Sequence, residues 1–155
     1  KDRSHILRVV REVLFHEPEG TGTSLQSGLD FLMNVAKRKS VVFLISDFLD
    51  DGYWKSLKLA NKKHDMIGIR IADPAESKLP NLGLIKVHDP ETEEMFWANL
   101  SSEIERNTFS QSVMEKWETF EKKCGRSRFD VISVGTDKDY VEPLMTYFRR
   151  REKRN

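Results

Sequence analysis

The run Val41–Asp47 (VVFLISD) constrains the fold more than any other stretch of the chain. Six apolar or small residues proceed without interruption and stop on a carboxylate, Asp47, followed by an acidic loop that carries a glycine, Phe48-Leu49-Asp50-Asp51-Gly52. A continuous apolar run of this length between polar turns reads as a strand buried on both faces, the pattern of a parallel sheet covered by helices. Ligands of such sheets gather at the carboxyl ends of the strands, which is where Asp47 stands. Earlier in the chain, Gly20-Thr21-Gly22-Thr23 leads from a loop into a helix, so the Thr23 hydroxyl is expected to face the same crevice. A hydroxyl and a carboxylate are hard oxygen ligands suited to Mg²⁺ or Mn²⁺.

The rest of the chain alternates in the same sense. Ile6, Leu7, Val9, Val10, Val13 and Leu14 have helical spacing and predict an amphipathic helix over 4–15. His16-Glu17-Pro18-Glu19-Gly20-Thr21-Gly22 breaks it. A second helix is expected from about Ser24 to Lys37, with Leu25, Leu29, Leu32 and Ala36 on one face and Thr23 as its N-cap. Trp54, Leu57 and Ala60 mark a short helix, and Met66–Ile71 a second buried strand ending at Asp73-Pro74, a turn former. Leu84–His88 and Met95–Leu100, joined by Asp89-Pro90-Glu91-Thr92-Glu93, read as a β-hairpin.

Ser102 and Glu105 form a capping box before the longest helix, whose apolar stripe is Phe109, Val113, Trp117, Phe120 and Cys124, with Gly125 as its stop. Phe129–Val134 is a third buried strand, and Asp137–Arg151 a last helix capped by Asp137 or Asp139. The expected fold is therefore α/β: three layers, a mostly parallel Rossmann-like sheet with helices on both faces, and a β-hairpin insertion. Right-handed crossovers place the strand ends near Asp47, Asp73 and Gly135–Asp137 on one edge.

The 155 residues are read as a single domain, 1–155, with a net charge of +1. That balance gives no global electrostatic case for nucleic acid or a membrane surface. The basic run Arg149–Arg154 fits a solvated helix end, where bases suit the dipole; salt-dependent nucleic-acid binding through it is the competing reading. No apolar run approaches the ~18 residues of a membrane span. The single cysteine, Cys124, falls on the apolar phase of a helix and is read as packing; one cysteine allows no internal disulfide, which fits a reducing, cytoplasmic setting. The charged start, Lys1-Asp2-Arg3-Ser4-His5, without an initiating methionine, suggests a piece of a longer protein.

The order of motifs carries a resemblance. Gly22-Thr23-Ser24-Leu25, a helix, and then Val41–Asp47 resemble the second half of a von Willebrand factor A-type domain. His5-Ile6-Leu7-Arg8-Val9-Val10-Arg11-Glu12, Gly22-Thr23, Leu44-Ile45-Ser46-Asp47-Phe48-Leu49-Asp50 and Thr136-Asp137-Lys138-Asp139-Tyr140-Val141-Glu142-Pro143-Leu144 are together similar to a bacterial family with such a domain, domain-of-unknown-function family 58. The resemblance implies a metal-ion-dependent adhesion site at the strand ends, with Thr23 and Asp47 as metal ligands and a partner's carboxylate completing the shell. It implies a role beside a MoxR-type AAA+ ATPase in assembling or maturing other proteins.

The chain departs from that pattern. The Asp-x-Ser-x-Ser motif of such sites is absent, and Ser46-Asp47-Phe48 replaces a Thr-Asp-Gly. The missing motif is expected upstream, so Mg²⁺ or Mn²⁺ binding is expected of the full-length parent and not of this piece. Thr21, Ser46, Phe48, Asp50 and Asp73 would line the partner-binding crevice, with Phe48 crowding it. Without its upstream neighbour, Val41–Ser46 would be an exposed apolar edge prone to self-association.

Two function classes follow. The first is a non-enzymatic protein-interaction domain. The second is a Mg²⁺-dependent hydrolase or phosphoryl-transfer enzyme using Asp47, Asp50 or Asp51, with Gly20–Thr23 cradling phosphate at a helix N-terminus. That loop lacks the Gly-Lys-Ser/Thr ending of a P-loop, and no histidine, lysine or arginine stands at a catalytic spacing, which favours the first class.

Overall fold

A computed structural model describes residues 3–16, 22–88 and 94–153. In chain order its elements are α1 (Arg3–Phe15), α2 (Leu25–Val35), β1 (Val41–Ser46), α3 (Trp54–Lys63), β2 (Asp65–Ala72), α4 (Pro74–Ser77), β3 (Leu84–His88), β4 (Met95–Asn99), α5 (Glu103–Ser127), β5 (Asp130–Gly135) and α6 (Val141–Glu152).

The three apolar runs form one parallel sheet in the order β1-β2-β5. Ser46 stands beside Arg70 and Ala72 beside Gly135, so the three strands end on one edge, as right-handed crossovers require. Period-two alternation divides the side chains between the faces. Val42, Leu44, Met66 and Val131 point to one face, where they meet Leu29 of α2, Leu57 and Ala60 of α3, and Phe120 and Cys124 of α5. Ile67, Ile69, Ile71, Ile132 and Val134 point to the other, covered by Leu144 and Tyr147 of α6. The fold is thus the expected α/β arrangement, a parallel sheet with helices on both faces. The hairpin is also present: β3 and β4 pair antiparallel, Leu84 against Asn99 and His88 against Met95. Its connection, residues 89–93, lies outside the described residues.

Polar ties fix α6 and α3. Arg151 bonds Asp65 at the start of β2 and donates to the Tyr147 hydroxyl at 2.8 Å, which donates to Asp130 at the start of β5 at 3.0 Å. The Asp65 carboxylate holds the Arg151 guanidinium well above its ordinary pKa. Asn61 of α3 donates to the Ser127 and Arg128 carbonyls, both at 3.0 Å. Cys124 is buried, and burial pushes its thiol up to about 12, as expected for a packing cysteine rather than a nucleophile.

Several boundaries differ from the sequence reading. Ser24, not Thr23, caps α2, its hydroxyl accepting from the Ser27 amide, and the helix ends at Val35 rather than Lys37. Gly125 does not stop α5; the helix runs on to Ser127, and Arg128 at φ 50° supplies the left-handed cap. The last helix starts at Val141, four residues late, because 136–140 are turn, with Asp139 accepting from the Val141 amide at 2.8 Å. Asp73 does turn the chain, and does so by capping the short α4, which periodicity could not reveal in four residues. Helix α1 forms as predicted, but none of its residues is buried.

Candidate functional site

The carboxyl edge of the sheet carries Asp47 after β1, Asp73 after β2 and Asp137 after β5, and three turns set their directions. After β1 the Asp47 carboxylate folds back on its own backbone: Oδ1 accepts from the Leu49 amide at 3.1 Å and from the Ser46 hydroxyl at 3.3 Å. The Ser46 hydroxyl in turn accepts from the Phe48 amide at 3.0 Å. Asp47 Oδ2 has no partner among the described residues. Asp50 is half-buried. Its Oδ2 accepts from the Leu25 amide at 2.7 Å and so ties this loop to the first turn of α2, where a carboxylate also offsets the helix dipole.

After β2, Asp73 uses both oxygens. Oδ1 takes the Ala75 amide at 2.8 Å, and Oδ2 takes the Thr136 hydroxyl at 2.9 Å. That second bond joins the ends of β2 and β5. The third turn closes on the Gly135 carbonyl, which accepts from the Lys138 amide at 3.3 Å.

Phe48 does not project into the crevice. It takes φ 58°, the left-handed conformation usual for glycine, and its ring is 3% exposed, packed on Tyr53, Phe120 and Phe129. The sequence-selected residues therefore separate. Asp73 lines a groove of about 650 Å³ with Asp137, Asp139, Glu142 and Lys138. Phe48 and Asp50 line a second depression, of about 320 Å³, with Asp51, Trp117 and Lys123. Thr23 is exposed, and neither it nor Asp47 lines either one. Thr21 lies outside the described residues.

The carboxylates on the β1 side share one electrostatic neighbour. Burial raises the Tyr53 hydroxyl well above its ordinary value, and Cys124, Asp50, Asp51 and Asp47 add to the rise. Among the described residues no three His, Cys, Asp or Glu side chains are grouped as a metal ion would need. The Asp47 Oδ2 atom and the Thr23 hydroxyl are two donors, whereas a hard cation takes about six or more.

One residue escaped the sequence reading. Arg70 interrupts the apolar run of β2, and its guanidinium lies 3.1 Å from the centroid of the Trp117 ring on α5. Burial lowers its pKa, while Glu76 and Glu121 oppose that. The signal was present: an arginine is the single charge between Met66 and Ile71.

Comparisons with known proteins fall on this same frame. The profile of the family described as "Protein of unknown function DUF58" matches residues 1–119. An uncharacterised protein of Mycobacterium avium is 21% identical over 137 residues, covering 88% of this chain and 80% of that protein. Uncharacterised proteins of Mycobacterium bovis and Mycobacterium tuberculosis are also 21% identical over 88% of this chain, which spans only 43% of their length. No solved structure matches the chain. No helix among the described residues is long and apolar enough to cross a membrane.

Proposed function

The chain belongs to the DUF58 family of proteins of unknown function, and on that premise we propose that it is a non-enzymatic protein-interaction domain of the von Willebrand A type. It would act in the cytoplasm beside a MoxR-type AAA+ ATPase, helping other proteins to assemble or mature. The observation that carries this reading is the open edge of the sheet. Among the described residues, strand β1 pairs on one side only, with β2. On the face shared with α6 its side chains are largely exposed: Val41 is 59% exposed, Ile45 63%, and Phe43 47% although its ring meets that of Phe148 edge-on at 6.2 Å. Unpaired strand edges with apolar faces are surfaces that other chains cover. Asp47 follows this same strand directly, exposed and with one oxygen unengaged among the described residues.

Two experiments test the reading. The first is titration calorimetry with Mg²⁺ and Mn²⁺ on this chain and on the longer parent, each with and without Asp47→Ala. Binding by the parent, lost in Asp47→Ala and absent from this chain, is expected of an adhesion site completed by upstream residues. No binding by the parent would remove the metal from the proposal, and Mg²⁺-dependent turnover of phosphate esters that Asp47→Ala abolishes would replace it with the hydrolase. The second is light scattering across a concentration series. The bare β1 edge predicts self-association, reduced when Phe43→Lys places a charge on it; a monomer at every concentration would show that the edge does not attract a second copy.

A further inference from the structure

The opposite edge of the sheet, where the strands begin, holds a groove of about 850 Å³ built from the three helix-to-strand connections. Lys39 precedes β1, His64 and Asp65 open β2, and Arg126, Ser127 and Arg128 precede β5. Lys58 and Lys62 of α3 and Arg151 of α6 complete the wall. Arg151 is committed to Asp65, the one carboxylate in the lining. Lys39, Lys58, Lys62, Arg126 and Arg128 have no ion pair or side-chain hydrogen bond among the described residues.

A second observation is independent of charge. His64 is only 2% exposed, yet neither Nδ1 nor Nε2 has a hydrogen-bond partner among the described residues, and the buried hydroxyl of Ser127 has none among them either. Both residues line the groove. Buried imidazoles and hydroxyls are nearly always satisfied, and leaving one unmade is costly. Helices α3, α5 and α6 all end at this edge, so some of the cations offset helix dipoles. That role leaves His64 and Ser127 without partners, because the terminal carbonyls of Ser127 and Arg128 are already served by Asn61.

We propose that this groove binds a small oligophosphate, with His64 and Ser127 donating to phosphate oxygens and the five uncommitted cations neutralising their charge. Donors at a fixed depth and cations at the rim match a ligand with several charged oxygens. The volume suits a small molecule. No Phe, Tyr or Trp side chain lines the groove, so recognition is of the phosphates and not of a stacked base. The ligand is either an inorganic oligophosphate or the phosphate tail of a nucleotide.

The test is calorimetric titration of the chain, without divalent metal and at fixed low salt, with inorganic triphosphate, adenosine triphosphate and adenosine. Triphosphate is expected to bind one per chain, and His64→Gln, Ser127→Ala and Arg126→Ala should each weaken it about tenfold or more. Lys122→Ala, on an exposed ion pair of α5 with Glu118, should leave it unchanged. Ser127→Ala keeps the test interpretable if His64→Gln does not fold. Triphosphate binding more tightly than adenosine triphosphate identifies the inorganic ligand, and adenosine triphosphate binding as tightly or more tightly shows that the groove accepts the phosphate tail of a nucleotide; both uphold the site. Adenosine binding as well as adenosine triphosphate, no saturable triphosphate binding, or equal weakening by Lys122→Ala and Ser127→Ala would overturn it.

Discussion

Phe48→Ala is expected to lower the unfolding free energy by about 3–5 kcal/mol, the usual cost of emptying a buried aromatic site, and so to threaten a fold whose total stability is of order 5–15 kcal/mol. The Phe48 ring joins the loop after β1 to the core: its centroid lies 5.1 Å from that of Phe120 on α5, 6.3 Å from Tyr53 and 6.2 Å from Phe129. A second term sharpens the test. At φ 58° a side chain costs roughly 1–2 kcal/mol that glycine avoids. Phe48→Gly should therefore be at least as stable as Phe48→Ala, reversing the ordinary order in which glycine is worse by about 0.5–1 kcal/mol. Urea unfolding followed by fluorescence reads both variants, since Trp54 and Trp117 pack against this cluster. Glycine falling below alanine would mean that residue 48 is not left-handed. The loop that presents Asp47 would then be set differently, because the Phe48 and Leu49 amides fix Ser46 and Asp47.

Phe48 also marks the limit of what the sequence could disclose. The strands were legible because each is a short apolar run bounded by polar residues, and the bounds of β1, Val41–Ser46, were met; its expected burial on both faces was not, because β1 lies at the end of the strand order and Val41, Phe43 and Ile45 stay exposed. The Ser102 cap was legible because it is local, with the Glu105 amide three residues on. Phe48 was read into the crevice because it follows Asp47; only its backbone angle, which no composition encodes, turns the ring inward. Thr23 and Ser24 are adjacent hydroxyls of similar capping preference, and the fold chose the second. The bond from the Leu25 amide to Asp50 spans twenty-five residues, beyond any spacing rule. The basic edge was in plain view as Lys37-Arg38-Lys39, Lys62-Lys63-His64 and Arg126-Ser127-Arg128. Those triplets lie far apart in sequence, and only the topology makes them neighbours.

Gly68→Ala and Gly28→Ala should have opposite signs. Gly68 lies mid-way along β2, the central strand, between Leu44 and Val131. A Cβ there would meet Phe129 Cζ at 2.7 Å, Cε1 at 3.0 Å and Val131 Cγ2 at 3.1 Å. Phe129 is buried and packs edge-on to Phe48, so its ring cannot retreat without disturbing the same aromatic cluster. Overpacking of this kind costs about 1–3 kcal/mol, and Gly68→Val, which adds branching at the point of contact, should sit at or above the top of that range. Strand propensity alone predicts the reverse, favouring valine over glycine by up to about 1 kcal/mol. Gly28 is exposed in α2 with nothing within 4 Å of its would-be Cβ, and alanine there should stabilise by about 0.4–1 kcal/mol. Denaturation midpoints of the three variants separate the accounts. Stabilisation by Gly68→Val would mean that Phe129 does not close over the central strand, and that the face carrying Phe48 and the Asp47 loop is less tightly built than its contacts require.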